Sequence, residues 1–163
     1  MSNFVGPELL ADHHITTGFD CGDETLNHWL TNRARRNQVE GASRTWVVLH
    51  EDRVVAFYAS SAAIVLRVEA TKRAARNQPD PLPALLLGRL AVDQKWQAHG
   101  LGAALLKHFI LKAIEVAQIT GVRVLLVHAK TTEAAAFYQR YGFEPSPLDD
   151  LTLMLLIKDA TAT

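Results

Sequence analysis

Apolar positions recur along the chain in two rhythms, one helical and one extended. Between Asp23 and about Gln38, Leu26, Trp29, Leu30 and Ala34 return at helical spacing, and Gly41 follows as a stop. Arg44 to Leu49 is rich in β-formers, and Arg53 to Val68 predicts one longer strand or two, with Glu51-Asp52 at the intervening turn. Glu69 to Asn77 predicts a short basic helix. It ends before Pro79-Asp80-Pro81-Leu82-Pro83, whose prolines hold the backbone extended. Leu85 to Val92 predicts a buried strand interrupted by Gly88, and a long helix follows from about Leu101 to Thr120. The apolar stripe of that helix is Ala103, Leu106, Ile110, Ala113, Ile114 and Ala117, with His108, Lys112 and Glu115 on the other side. Gly121 ends it. Val122 to His128 is then a strand, Thr132 to Tyr141 a short helix closed by Gly142, and Leu151 to Lys158 a last strand.

The order α, β, β, α, β, α, β, α, β predicts a mixed α/β sandwich with helices on the sheet faces. A length of 163 residues with no repeat and no Gly/Ser linker suits a single domain, 1–163. One cysteine, Cys21, excludes an intramolecular disulfide. MSNFVGPELL has neither a basic nor an apolar targeting region, and no apolar run approaches a membrane span. A cytoplasmic protein without membrane attachment is therefore expected.

Charge changes this picture through its distribution. The 17 basic and 17 acidic residues cancel. Residues 1–30 nevertheless carry −5, residues 31–76 carry +5, and the remainder is neutral. A local positive field attracts a polyanion whatever the total.

The segment Leu90 to Ile119 joins a strand, a glycine-bearing loop and a helix. The first amides of a helix have no intrahelical partner, and Gly100 and Gly102 let the loop approach a phosphate closely. Tight-turn chemistry alone is the competing explanation for two such glycines. Neither common phosphate loop fits. Leu101-Gly102-Ala103 lacks the Gly-Lys-Ser/Thr of a Walker loop, and Leu105 stands where a dinucleotide loop needs its third glycine.

Gln97-Ala98-His99-Gly100-Leu101-Gly102 resembles the pyrophosphate signature of the GNAT acetyltransferase superfamily, Gln/Arg-x-x-Gly-x-Gly/Ala. Gly88-Arg89-Leu90-Ala91-Val92-Asp93 is similar to that family's central strand. Ala134 to Phe143 is similar to its Phe-Tyr…Gly-Phe helix, and the agreement spans roughly residues 45–158. The resemblance implies a central mixed, mostly antiparallel twisted sheet flanked by helices, with acetyl-CoA as co-substrate and no metal. It implies that Leu90, Ala91 and Val92 offer a backbone amide to the thioester carbonyl. Gln97, Ala98, His99, Gly100, Leu101, Gly102 and Ala103 would hold the diphosphate, Phe137 would contact the coenzyme, and Tyr138 would protonate the departing thiolate. From the residues alone, packing of Tyr138 with Ala134 and Tyr141 on its helix face is the favoured reading, and the resemblance reverses that preference.

The chain resembles one branch more closely. Phe19-Asp20-Cys21-Gly22 before Leu26…Trp29-Leu30, then Gly41-Ala42-Ser43-Arg44-Thr45, Arg76-Asn77-Gln78-Pro79-Asp80-Pro81 and Leu125 to Ala129 are similar to TacT-type toxins. That resemblance implies acetylation of the amino group of aminoacyl-tRNA. It also implies a homodimer and a ribbon-helix-helix antitoxin that covers the basic surface and through which the toxin reaches operator DNA. One departure stands out: where the branch often has two adjacent arginines before Asn-Met-Pro-Asp-Pro, this chain has Ala75-Arg76 and Gln78.

Arg33, Arg36, Arg44, Lys72, Arg73 and Arg76 are the candidate tRNA-phosphate contacts, against the alternative that Arg33, Arg35 and Arg36 are simply a solvated face. No Glu or His base flanks Leu90–Val92, since Arg89 and Asp93 stand there. A lysine amine, with a pKa near ~10.4, needs such a base more than an α-amine near ~8, which favours an α-amine acceptor. An acetyltransferase for a small-molecule or protein amine, and a non-catalytic acyl-CoA-binding partner, remain the alternatives. His13, His14, His28, His50, His108 and His128 share no metal-ligand spacing, Cys21 has no activating partner, and Trp29, Trp46 and Trp96 are expected in the core or at a subunit contact.

Overall fold

The structure, a computed structural model, describes residues 3–161. Contacts gather into two compact units: residues up to Ser61 with Gly88–Phe109, and Ala62–Leu87 with residues from Ile110 onward.

In the first unit, strand β1 (Val5–Leu9) pairs antiparallel with β2 (Arg44–His50), and β2 pairs antiparallel with β3 (Arg53–Val65), placing Trp46 opposite Tyr58. The β2–β3 turn is the expected Glu51-Asp52, both at positive φ (53° and 62°). The helix expected over 23–38 is two helices, α1 (Glu24–Asn32) and α2 (Ala34–Val39). Asp23 caps α1 by accepting from the Thr25 and Leu26 amides, and Arg33 breaks the helix with φ −124°. The break lets Arg35 turn inward, where its guanidinium donates to the Ala11 and His14 carbonyls. Arg35 is therefore a structural tie and not part of a solvated face. Trp29, Leu30, Phe19, Phe57, Val47 and Ala91 form the core against α1.

In the second unit, β4 (Leu82–Val92) pairs parallel with β5 (Val124–His128) from Ala84↔Val124 to Leu87↔Val127. Strand β7 (Asp149–Leu156) pairs antiparallel with both β5 and β6 (Glu144–Ser146). The helices here are α3 (Lys72–Ala75), α5 (Thr132–Gln139) and α6 (Ile157–Ala160). Val65, Leu82, Val124, Leu126 and Met154 are among the residues of its core. The mixed, mostly antiparallel α/β architecture is as expected. Strands β1 and β6 were not anticipated: one carries Gly6 and Pro7, the other is three residues long, and neither offers an alternating pattern.

Helix α4 (Leu101–Ala117) begins in the first unit. Its buried residues are Leu101, Leu105, Leu106, Phe109 and Ala113, whereas Ala103 and Ile110 are only half-buried. The helix is so rich in apolar residues that periodicity alone does not single out the inner face. His108 likewise faces inward, with Nδ1 2.8 Å from the Tyr58 hydroxyl and its ring 4.7 Å from that of Trp46. Among the described residues no helix is long and apolar enough to cross a membrane.

Candidate active site

The loop after β4 is built on Asp93. One carboxylate oxygen accepts from the Lys95 amide (2.9 Å), capping a single 3-10 turn, Gln94–Trp96, and the other accepts from the Asp20 amide (3.0 Å). Backbone bonds from Asp93 to Val55 and from Gln94 to Asp20 (2.8 and 2.9 Å) complete the anchor. With both oxygens engaged by amides, Asp93 is a clamp and offers no free base.

Gln97 then folds back, its side-chain amide donating to the Val92 carbonyl at 3.1 Å. The signature glutamine thus ties the loop to the last residue of β4. Ala98 and Gly100 both adopt left-handed conformations (φ 67° and 78°), which turn the chain sharply into α4. A Cβ placed on Gly100 would meet nothing within 4 Å, so the loop is open at this residue and its glycine is explained by conformation. The first α4 bond runs from the Ala104 amide to the Gly100 carbonyl (3.0 Å). The amides of Leu101, Gly102 and Ala103 therefore precede the intrahelical ladder, the arrangement that suits a diphosphate.

An aromatic brace that sequence patterning did not disclose supports this turn. Trp96 contacts the rings of Phe4 (5.4 Å between centroids), His50 (4.6 Å) and His99 (5.9 Å). His99 Nδ1 lies 3.1 and 3.0 Å from the Trp96 and Gln97 carbonyls; carbonyls only accept, so Nδ1 carries the proton. Trp96 is half-buried beside the loop, while Trp29 is in the core as expected. Upstream, Ala91 is buried and Leu90 and Val92 are half-buried. Pairing of β4 with β5 ends at Leu87, before the Leu90–Val92 stretch.

Tyr138 belongs to the second unit, on α5, whose first turn is capped by Thr131 accepting from the Ala134 amide (3.1 Å). The Tyr138 ring is buried at 7% exposure, with edge contacts to Phe137 (5.1 Å) and Phe143 (5.8 Å). Its carbonyl accepts from the amides of Tyr141 and Phe143, which closes the helix. Burial pushes its hydroxyl up to about 12, so the group is a proton donor throughout the neutral range. Phe137 is half-buried and also touches the Tyr141 ring (5.4 Å).

The basic candidates divide between the units. Arg33, Arg36 and Arg44 are exposed in the first, and Lys72, Arg73 and Arg76 are exposed in the second. Arg36 pairs with Glu40 (3.2 Å) and Arg73 forms a bidentate pair with Asp159, holding that carboxyl below the usual carboxylate range. Cys21 is half-buried and its thiol is pushed up by that burial, the opposite of an activated nucleophile. Among the described residues no three His, Cys, Asp or Glu side chains converge as a metal site would require.

The family model described as an acetyltransferase (GNAT) domain matches residues 41–145. A curated relative, the tRNA-acetylating toxin of Mycobacterium tuberculosis, is 45% identical over 99% of this chain and 98% of its own. Among solved structures, a tyrosine-to-phenylalanine mutant of KacT superposes with a TM-score of 0.89 at 27% identity, covering 98% of this chain and 97% of that one. AtaT complexed with acetyl-methionyl-tRNAfMet gives 0.88 at 26% identity, with the same coverage. AtaTR bound with AcCoA gives 0.80 at 25% identity, covering 98% and 96%. The loop on Asp93, the amides that open α4 and the buried Tyr138 are thus features of a chain that belongs to the GNAT acetyltransferase family.

Proposed function

We propose that the whole chain acts as one acetyl-CoA-dependent N-acetyltransferase domain, a toxin that acetylates the α-amino group of aminoacyl-tRNA and so blocks translation. The observation that carries this reading is 45% identity to a tRNA-acetylating toxin over nearly the full chain. The open, tethered loop Gln97–Gly102 supplies its physical basis.

In this reading the amides of Leu101 to Ala103 grip the coenzyme diphosphate, with Gln97, Ala98, His99, Gly100 and Gly102 shaping the turn. Phe137 lies against the coenzyme. A backbone amide of the Leu90–Val92 stretch donates to the thioester carbonyl, and such a preorganised donor is worth about 3 kcal/mol of barrier. The neutral amine attacks the carbonyl carbon, forming C–N while the carbonyl electrons move to oxygen. When they return, the C–S bond breaks and sulfur takes the Tyr138 proton. The ammonium formed on nitrogen then loses its proton, restoring the phenol directly or through solvent. Tyr138 suits this role because burial keeps it protonated before each turnover. No carboxylate base is required for an α-amine, whose pKa near ~8 leaves a useful neutral fraction.

Arg33, Arg36, Arg44, Lys72 and Arg76 would track tRNA phosphates, a contribution that weakens with salt, whereas the Arg73 fork is already paired with Asp159. The same reading places the enzyme in the cytoplasm as a homodimer. A ribbon-helix-helix antitoxin would cover the basic surface and bring the complex to operator DNA.

The test is mass spectrometry of charged tRNA incubated with enzyme and isotope-labelled acetyl-CoA. Label on the aminoacyl α-nitrogen is expected. Label only on free amines or protein lysines would instead identify a small-molecule or protein acetyltransferase, and acetyl-CoA binding without any transfer a non-catalytic partner.

A further inference from the structure

Three arginines are half-buried: Arg35, Arg89 and Arg123. Two of them are occupied by the fold. Arg35 donates to the Ala11 and His14 carbonyls, and Arg123 donates to the Ala74 and Arg73 carbonyls at the end of α3. Arg89 differs. Its guanidinium carbon lies 4.2 Å above the centre of the Trp29 ring, and among the described residues it enters no salt bridge. Burial alone lowers its pKa, with no carboxylate contributing. A guanidinium carries five donors, and stacking on an aromatic face leaves its edge available to an oxyanion. The fold therefore bears the desolvation of this cation without using its hydrogen bonds.

The surroundings fix what this edge can meet. Trp29 is held in the core at 6% exposure, nearly parallel (13°) to the Phe57 ring 6.0 Å away, so the platform under Arg89 is rigid. Arg89 directly precedes Leu90–Val92, the stretch assigned above to the thioester carbonyl, and all of these residues lie in the first unit. Arg33, exposed, is bonded through its amide to the Trp29 carbonyl (2.8 Å), so a second cation issues from the end of the same helix. An anion bound at Arg89 would thus lie next, along the strand, to the stretch assigned to the thioester carbonyl, and a negative chain continuing from it would meet Arg33 on the same helix end.

We propose that Arg89, carried on Trp29, is a substrate-positioning residue that binds the phosphodiester nearest the aminoacylated end of the acceptor strand. This inference rests on the aminoacyl-tRNA reading. It adds a specificity element: an amine with no phosphate attached loses this anchor, so free amines and simple esters bind poorly.

The test compares wild type with Arg89→Met, which keeps the hydrophobic stem over Trp29 and removes the charge, and with Arg89→Lys. For each, kcat and KM are measured with charged tRNA, with acetyl-CoA and with a phosphate-free amino acid ester. In Arg89→Met the KM for charged tRNA is expected to rise about 10- to 100-fold, the loss of one charge-assisted contact. The KM for acetyl-CoA should be unaltered. The preference for charged tRNA over the ester should fall by the same factor, and the slope of log KM against log salt for tRNA should drop by about 0.7 to 0.9. Arg89→Lys should restore the salt slope and only part of the affinity, because an ammonium lacks the planar fork. Equal losses on tRNA and ester would mean that Arg89 merely supports the strand and would overturn the proposal, as would a KM for tRNA left unchanged by Arg89→Met when the wild type acetylates charged tRNA. A wild type that acetylates the ester but never charged tRNA removes the parent reading, and this one with it.

Discussion

Asp93 and its loop are fixed by polar bonds aimed at backbone, through the Asp20, Lys95 and Val92 contacts, whereas Tyr138 is fixed by rings and burial, between Phe137 and Phe143. On the proposed function, the difference follows from what each part would present. An anion grip consists of amide hydrogens at set positions, and only directional bonds to the neighbouring backbone hold amides that firmly. A proton donor must stay protonated, and apolar surroundings achieve that by disfavouring the phenolate. Exchanging the two scaffolds would defeat both.

The largest effect should come from Tyr138→Phe, which keeps the ring packing and removes only the acidic proton. A fall in kcat of about 100- to 10,000-fold is expected with acetyl-CoA affinity retained, measured by steady-state kinetics and calorimetry. A loss of coenzyme affinity instead would assign Tyr138 to packing.

Substitution at Gly100 probes the polar scaffold. Since its Cβ position is open and its φ is 78°, Gly100→Val should raise the KM for acetyl-CoA about 10-fold or more, and Gly100→Asn far less, because asparagine tolerates this conformation. Equal effects of the two would mean that space, and not backbone strain, is limiting. Asp93→Ala should lower stability by about 3 kcal/mol in urea unfolding, since it orphans two amides at a position only 9% exposed.

The pH dependence sharpens the apolar side. A raised tyrosine pKa stabilises the fold below the ordinary value near 10 and is lost as pH rises toward about 12, and Tyr58, also pushed up by burial, acts in the same direction. Activity should therefore show no falling limb from Tyr138 between pH 8 and about 11, and unfolding should set in only above about pH 10. A limb near pH 10 would place the phenol in water. The smallest effect is expected at Arg73→Ala: its fork is already committed to Asp159, so the KM for tRNA should change less than about 3-fold, whereas Arg33→Ala and Arg36→Ala together should also reduce the salt slope.

Much of the candidate site's local structure was legible in the sequence. The loop Gln97–Gly102 is a run of adjacent residues whose proposed role lies in the main chain, so it can be read locally. Phe137 and Tyr138 are likewise neighbours on one short helix, although their proposed roles lie in the side chains. Other features depended on partners far away in the chain. The role of Asp93 requires Asp20, 73 residues earlier, and the inward turn of Arg35 requires the Ala11 and His14 carbonyls. The aromatic brace joins Phe4, His50, Trp96 and His99, which share no spacing. The inner face of α4 was misjudged because its apolar residues occupy more than one stripe.

By itself, then, the amino-acid order determined the strand, loop and helix that carry the candidate site and the excess of cations between residues 31 and 76, whereas the left-handed conformation at Gly100 came from the fold. Tertiary structure alone decided which of the chain's arginines are already spent. Arginines that look alike in a chain differ in whether folding brings a carbonyl, a carboxylate or only a tryptophan face within reach. That depends on long-range packing, since a guanidinium satisfies its five donors wherever the fold offers acceptors, and at Arg89 the fold offers a ring.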